Sequence, residues 1–304
     1  MNRVRVDYPR MVQMTIDYAE EHLDEELSLS RLAQVAGFSD FHFHRVFQTM
    51  AGETVMDYVR QRRLAVSAYR VAYSDERLLD IALQCGFQNH ETFTRAFKRM
   101  YGRTPGEYRK LGIKPPPYTK LNVLQQYNNP FVGGIQLEHR IINKPAFKVI
   151  GYETTTTSCN GDNLREVPAF WQDYINRGLS QQIPNRISTQ MAELGICYNF
   201  NYETSQFNYL IGMEVDTFDG MLEGQVAREF DETEYAVFTT PLVERALFVH
   251  SVQSTWQRIY TEWFPQSGYE HAGKAEFELY DERCNPALPE AQIDIYIPIK
   301  RKQG

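Results

Sequence analysis

The sequence has no long hydrophobic run. None of its apolar stretches approaches the roughly 20 residues that cross a membrane, and the opening MNRVRVDYPR lacks the apolar core of a secretory signal. The expectation is a cytoplasmic protein without membrane contact. Cysteine is scarce as well. Cys85, Cys159, Cys197 and Cys284 lie far apart without metal-ligand spacing, so free thiols are expected, with no metal and no cofactor. Histidine gives no stronger signal: His139, His250 and His271 stand in unrelated contexts. No nucleophile–histidine constellation marks an enzyme.

A basic excess is also missing from the whole. The 304 residues sum to −7, which by itself argues against a polyanion partner. The sum hides a split. Residues 1–120 hold 18 Lys+Arg against 15 Asp+Glu, whereas residues 121–304 hold 14 against 24. Between 60 and 110 the balance is 11 to 5 in favour of the bases. Such an asymmetry points to two partners, a polyanion for the front and something neutral or cationic for the back. Hydrophobic residues make up 42%, enough for real cores, and the length suits two domains.

The stretch KPPPYTKLNVLQQYNNPF (114–131) separates them, since three consecutive prolines exclude a helix and favour an extended spacer. The expected division is a front domain over 1–112, a linker over 113–134 and a back domain over 135–304.

What the front does have is a phrase written twice. GFSDFHFHRVF (37–47) returns as GFQNHETFTRAF (86–97), with Phe43, Arg45, Phe47 and Met50 matching Phe93, Arg95, Phe97 and Met100 at an offset of fifty. Each copy reads as a short helix, a glycine turn and a second helix, the helix-turn-helix pattern. Around them the periodicity predicts an opening helix through Val12, Ile16, Ala19 and Leu23, and short helices over 29–36 and 78–85. Second helices run over 39–51, capped by Ser39, and over 89–101. A long connector starts at Thr54 and ends near Tyr73, and TPGE (104–107) opens a last helix.

In the first copy Phe43, Val46, Phe47 and Met50 follow the spacing of an inward face, leaving Phe41, His44, Arg45 and Gln48 outward. In the second copy Phe93, Ala96, Phe97 and Met100 point inward and Glu91, Thr94, Arg95 and Lys98 outward. An arginine fork suits a guanine edge and Phe41 a thymine methyl. Gln48, Thr94, Lys98 and Arg99 suit phosphates as well as bases. The connector, at about 1.5 Å per residue, spans roughly 30 Å, close to one turn of the double helix. One chain can thus read two adjacent major grooves of double-stranded DNA. Arg60, Arg62, Arg63 and Arg70 on the connector are expected to hold the intervening backbone.

With LSRLAQVAGFSDFHFHRVFQ, RQRRLAVSAYRVA and IALQCGFQNHETFTRAFKRMYGRTPGEYRK, residues 8–110 resemble the AraC/XylS family of transcription regulators. The resemblance implies base contacts from Phe41, His44 and Arg45 in the first reading helix, and from Asn89, His90, Glu91 and Arg95 around the second. Asp40 departs from relatives that are basic at that position.

The back half is doubled too. It reads strand (146–155), helix (163–178), strand (194–200), strand (207–215), then again strand (234–240), helix (247–264), strand (275–281), strand (292–299), and each helix carries a Trp-Gln pair. Two βαββ units about a pseudo-twofold axis, with a central cleft, make the back domain α+β behind an all-α front. Trp171, Tyr198, Trp263, Tyr269 and Tyr280, with Glu278 mid-strand, are the candidate ligand residues. A carboxylate in a half-buried sheet is costly without a partner, and aromatics with one acid suit a hydrophobic cation. The alternative is that the aromatics are core and Glu278 faces water.

Through KPAFKVIGYETT, EYAVF, FELYD and IYIPI, residues 135–302 resemble GyrI-like effector domains, which implies a small-molecule effector in the cleft with Glu278 as its acid. The order of the halves resembles the Rob-type arrangement. The expected function is a DNA-binding regulator, monomer or weak dimer, whose effector changes DNA affinity or contact with RNA polymerase. A back domain that hydrolyses a reactive small molecule with Glu278 as base, or one that only docks on another protein, stands as the alternative.

Overall fold

The computed structural model of the chain describes residues 7–116, 118–124, 137–158, 162–188, 190–201 and 204–302. Contacts divide it into two compact units, Tyr8–Asn129 and Pro130–Gly304 with Met1–Asp7.

The first unit is all helix: α1 (Tyr8–Glu21), α2 (Leu29–Ala36), α3 (Asp40–Ala51), α4 (Val55–Tyr73), α5 (Leu78–Gln84), α6 (His90–Tyr101) and α7 (Pro105–Lys110). The two turns between paired helices are built alike. Gly37 and Gly86 adopt φ of 70° and 74°, a left-handed conformation that glycine enters without strain. In each, the amide after the glycine bonds back to the last helical turn, Phe38 to Ala33 at 3.0 Å and Phe87 to Ala82 at 3.0 Å. Thr54 caps α4 through the Asp57 amide, and Thr104 with Glu107 closes a full capping box on α7. Ser39 occupies the cap position of α3 but makes no side-chain cap bond, contrary to expectation.

Leu64, Ala68, Val71, Ile81, Phe93, Phe97 and Tyr108 form the core of the second copy. The first copy packs on α1, where the Tyr8 hydroxyl meets His42 Nε2 at 2.7 Å in a fully buried contact. Part of the proline segment is docked rather than free. The Val123 amide donates to Gln13 Oε1 at 2.9 Å, Lys120 pairs with Asp17 at 2.7 Å, and the Tyr118 hydroxyl donates to Gln61 Oε1 at 2.9 Å. Residues 118–124 therefore run along α1 and α4, whereas 125–134 lie outside the described residues.

Among its described residues the second unit has the strands β1 (His139–Lys144), β2 (Phe147–Thr157), β3 (Ala192–Asn201), β4 (Gln206–Val215), β5 (Val226–Phe230), β6 (Thr233–Thr239), β7 (Val243–Glu244), β8 (Tyr269–His271), β9 (Glu276–Asp281), β10 (Glu290–Ala291) and β11 (Asp294–Arg301). Helices α8 (Asn163–Asn176) and α9 (Phe248–Arg258) follow β2 and β7, and α9 runs on into a π-helical turn at Ile259–Trp263. The main sheet has the antiparallel order β1-β6-β11-β9-β3-β4-β2-β5, with β8 added on β11, and β7 pairs separately with β10. The two repeats are joined edge to edge, since β3 hydrogen-bonds β9 from Ala192↔Asp281 to Cys197↔Glu276.

The edge strands are exchanged. Only Pro145 and Ala146 separate β1 from β2, yet β1 pairs with β6 of the other repeat; only Asp231 and Glu232 separate β5 from β6, yet β5 pairs with β2. Six strand spacings of about 4.8 Å would place β1 and β2 roughly 29 Å apart in a flat sheet. A two-residue link reaches about 11 Å. The sheet must therefore curl, and its concave face closes over Phe147, Val149, Leu194, Ile196, Tyr235, Phe277 and Tyr296.

Candidate DNA interface and effector site

On α6 the outward stripe stands in solvent. His90, Glu91, Arg95, Lys98 and Arg99 are exposed, and Phe93 and Phe97 are fully buried on the opposite side. Among the described residues Arg95, Lys98 and Arg99 make no ion pair, so three positive charges are presented along one helix. Asn89 caps this helix: its Oδ1 accepts the Thr92 amide at 2.9 Å, which leaves the amide nitrogen to donate. Thr94 is half-buried, with its hydroxyl enclosed.

On α3 the stripe is different. Arg45 and Gln48 are half-buried, but Phe41 is 5% exposed and His44 is 4% exposed. The outward assignment of Phe41 and His44 is corrected on this point. The i, i+3, i+4 spacing identifies the most buried face, but says nothing of a helix that is covered over most of its circumference. The four connector arginines are corrected too. Arg62 pairs with Glu20 at 2.6 Å, with both side chains 13% exposed, and Arg63 donates to the carbonyls of Leu23 and Glu25 at 2.8 and 2.5 Å. Arg60 is bonded to Asp57, and Arg70 to Glu76. Arg62, Arg63 and Arg70 thus tie α4 to its neighbours, Arg60 pairs within α4, and the cations of α6 face outward.

In the second unit, alternation along β9 puts Glu276, Glu278 and Tyr280 on the face covered by α8 and α9, and Phe277 and Leu279 on the concave face. Glu278 is half-buried. One of its oxygens accepts the indole N–H of Trp256 at 2.7 Å and the other the hydroxyl of Tyr280 at 2.7 Å. Trp171 from α8 packs on Tyr280, ring centroids 4.6 Å apart, and its N–H donates to the Tyr209 hydroxyl at 2.8 Å. Burial, with the Glu278 charge adding to it, pushes both the Tyr209 and Tyr280 hydroxyls well up from their ordinary range. Gly195 is the cross-strand partner of Glu278, and a Cβ there would lie 2.3 Å from the Tyr209 hydroxyl. The result is one carboxylate set among Trp171, Tyr209, Trp256 and Tyr280.

Of the ligand candidates, the structure thus groups Glu278, Trp171 and Tyr280. Tyr198 is on the other face of the sheet, bonded to Glu153 beside Arg228, on the wall of a cleft of about 400 Å³. Trp263 and Tyr269 stack on each other at 6.1 Å, and Trp263 packs on Phe238 and His139. Those three are corrected as companions of Glu278. Trp256 and Tyr209 were not among the candidates. Trp256 had a signal, since the Trp-Gln pair at 171–172 recurs at 256–257. Cys85 and Cys284 are buried free thiols, and Cys197 is half-buried.

The profile of the family described as integron-associated effector binding protein matches residues 140–299, more than half of the chain. The chain belongs to that family. A helix-turn-helix profile of AraC type matches residues 32–111 in front of it. Among curated relatives, the regulatory protein SoxS of Escherichia coli K12 is 34% identical over 104 residues, 34% of this chain and 97% of that protein. The right origin-binding protein of the same organism is 32% identical over 181 residues, 56% of this chain and 58% of that protein. YbfP of Bacillus subtilis, an HTH-type transcriptional regulator by name, is 48% identical over 102 residues, 34% of this chain and 35% of that protein. The chain thus spans less than two thirds of the length of these last two relatives. Among solved structures, SAV2435 bound to tetraphenylphosphonium aligns over 54% of this chain and 94% of its own with 15% identity and a TM-score of 0.46. This member of the effector-binding family thus carries an AraC-type helix-turn-helix region in front and the effector-binding domain behind it, the order of the Rob-type arrangement. No helix among its described residues is long and apolar enough to cross a membrane.

Proposed function

We propose that the protein reads two successive major grooves with α3 and α6 and that a small hydrophobic cation, bound at Glu278, modulates this reading. The observation that carries the first part is the pair of alike glycine turns that open into α3 and α6, the two helices flanking the α4–α5 connection. The 19 residues of α4 span about 28 Å, against about 34 Å for one turn of DNA. Arg45 and Arg95 occupy equivalent positions, and an arginine fork on a guanine edge discriminates by about 1–3 kcal/mol. Lys98 and Arg99 supply phosphate contacts, which position the reader without specifying sequence. The second part rests on a carboxylate that accepts from Trp256 and Tyr280 within an aromatic surround, the chemistry that selects an apolar cation. Binding acts on DNA affinity or on contact with RNA polymerase, and the protein works as a monomer or weak dimer.

Selection of sites from a random duplex pool tests the reading, using the intact protein beside Arg45→Ala and Arg95→Ala. A bipartite site with centres one helical turn apart, each substitution relaxing a different half, is the expected result. Enrichment of a single half-site, or only salt-sensitive general binding, would sink the two-groove reading.

A further inference from the structure

The pseudo-twofold axis of the second unit can be located from the register. Trp171 and Trp256 are 85 residues apart, as are the first residues of their helices, Asn163 and Phe248. The same offset carries Leu194 to Leu279, and these two are cross-strand partners in the β3–β9 seam. The axis therefore passes between Leu194 and Leu279. One step further along each strand it relates Glu193 to Glu278. Alternation puts Glu193 on the same face of the sheet as Glu278, and its cross-strand partner is Tyr280, the residue that holds Glu278. The two carboxylates occupy diagonal positions of one antiparallel pair, which sets them roughly 7–8 Å apart at the backbone. On the other diagonal, Gly195 stands where Tyr280 stands in the second repeat.

Glu193 is half-buried and, among the described residues, makes no ion pair. Burial pushes its carboxyl up from the ordinary range, against the Ser180 hydroxyl and the Arg186 charge, which pull it back. The hydroxyl of Tyr174, a 1% exposed side chain close enough to feel Glu193, makes no hydrogen bond of ordinary geometry. A second partly desolvated carboxylate, mirrored through the axis of the first, thus has only the Ser180 hydroxyl and the Arg186 charge to offset its burial.

We propose that Glu193 and Glu278 act together and that the effector is a small dication, a diamine or bis-amidine with its charges under about a nanometre apart, spanning the seam beneath α8 and α9. This rests on the effector reading of the Glu278 site and gives that site its ligand class. A ligand with one charge engages Glu278 alone. A ligand with two engages both carboxylates and gains from joining two contacts in one molecule.

Calorimetric titration of the full chain with benzylamine and with its two-headed analogue p-xylylenediamine separates the cases. The expected result is binding of p-xylylenediamine at least tenfold tighter than benzylamine. Glu193→Gln should abolish that advantage and leave the benzylamine Kd unchanged, whereas Glu278→Gln should weaken both. Glu193→Asp, which keeps the charge, should retain part of the advantage and guards against a folding defect in Glu193→Gln. Benzylamine binding that depends on Glu278, with no gain from the second amine or a gain indifferent to Glu193, overturns the two-carboxylate site and leaves the effector reading standing. No binding of either amine at millimolar concentration overturns both.

Discussion

The two helix-turn-helix copies share their turns, their inward phenylalanines and an arginine at the same place, yet they treat their outer faces in opposite ways. On α6 position 91 is a glutamate in solvent; fifty residues earlier, on α3, the equivalent position is Phe41, which is 5% exposed. A motif thus determines the turn and the core of a reading helix but not how much of its outer face is available. On the proposed two-groove reading, base readout in the two halves need not be equally strong. The half carried by α6 presents Arg95, Lys98 and Arg99 directly, whereas the half carried by α3 holds its Arg45 half-buried beside two enclosed aromatic rings.

The largest effect that sharpens this contrast belongs to the connector. Arg62→Ala breaks a largely buried pair with Glu20, and should cost about 3 kcal/mol in denaturant unfolding while leaving the salt dependence of DNA binding unchanged. A reduced salt slope would mean that this guanidinium meets phosphate after all. Next come the equivalent positions 41 and 91. Phe41→Ala should lower stability by about 3 kcal/mol, whereas Glu91→Ala should change it by no more than about 0.5 kcal/mol. Equal small effects would return Phe41 to the outward face. On α6, Lys98→Ala and Arg99→Ala should each weaken binding to all sequences alike and lower the salt slope by about one.

The smallest effect is a titration. Burial, with the Asp57 charge adding to it, raises the Glu53 carboxyl to about 6, against the Tyr118 hydroxyl and Arg60. Because the folded value lies above the unfolded one, the protonated group favours folding. That contribution is whole below about pH 4.5 and is lost as pH rises through about 6. The stability of Glu53→Gln should therefore gain on that of the wild type across this interval. Parallel pH profiles for the two proteins would remove Glu53 as the titrating group.

Much of the front half was legible because its signals are local. Glycines with positive φ, the Thr54 and Thr104 caps and the i, i+3, i+4 phenylalanines each act within one or two turns. Ser39 looks the same in sequence and does not cap, and Phe41 and His44 look outward and are covered. In the back half the strands of each repeat were legible from their β-branched and aromatic runs. The exchanged strands β1 and β5 were not: HRIINK and VAREF are mixed in polarity because each lies at an edge of the sheet. Glu278 stood out as an acid in an apolar strand. Its donor Trp256 is 22 residues away on a helix, and only the repeated Trp-Gln pair hinted at it. Tyr198 and Tyr280 are both strand tyrosines, and only the pairing of β3 with β9 reveals that they face opposite ways.

The exchange of β1 and β5 also sets an order of events during synthesis. Helices α1 to α7 can pack while the rest of the chain is still in the ribosome, since everything in their core lies before residue 124. The effector domain has no such intermediate. Its β1 waits for β6, its β3 for β9, and the carboxylate on β9 emerges within the last tenth of the chain. The nascent chain is thus able to fold its helix-turn-helix unit before the surroundings of Glu278 exist. Truncation before β9 would leave the first repeat with an unpaired seam rather than with half a site.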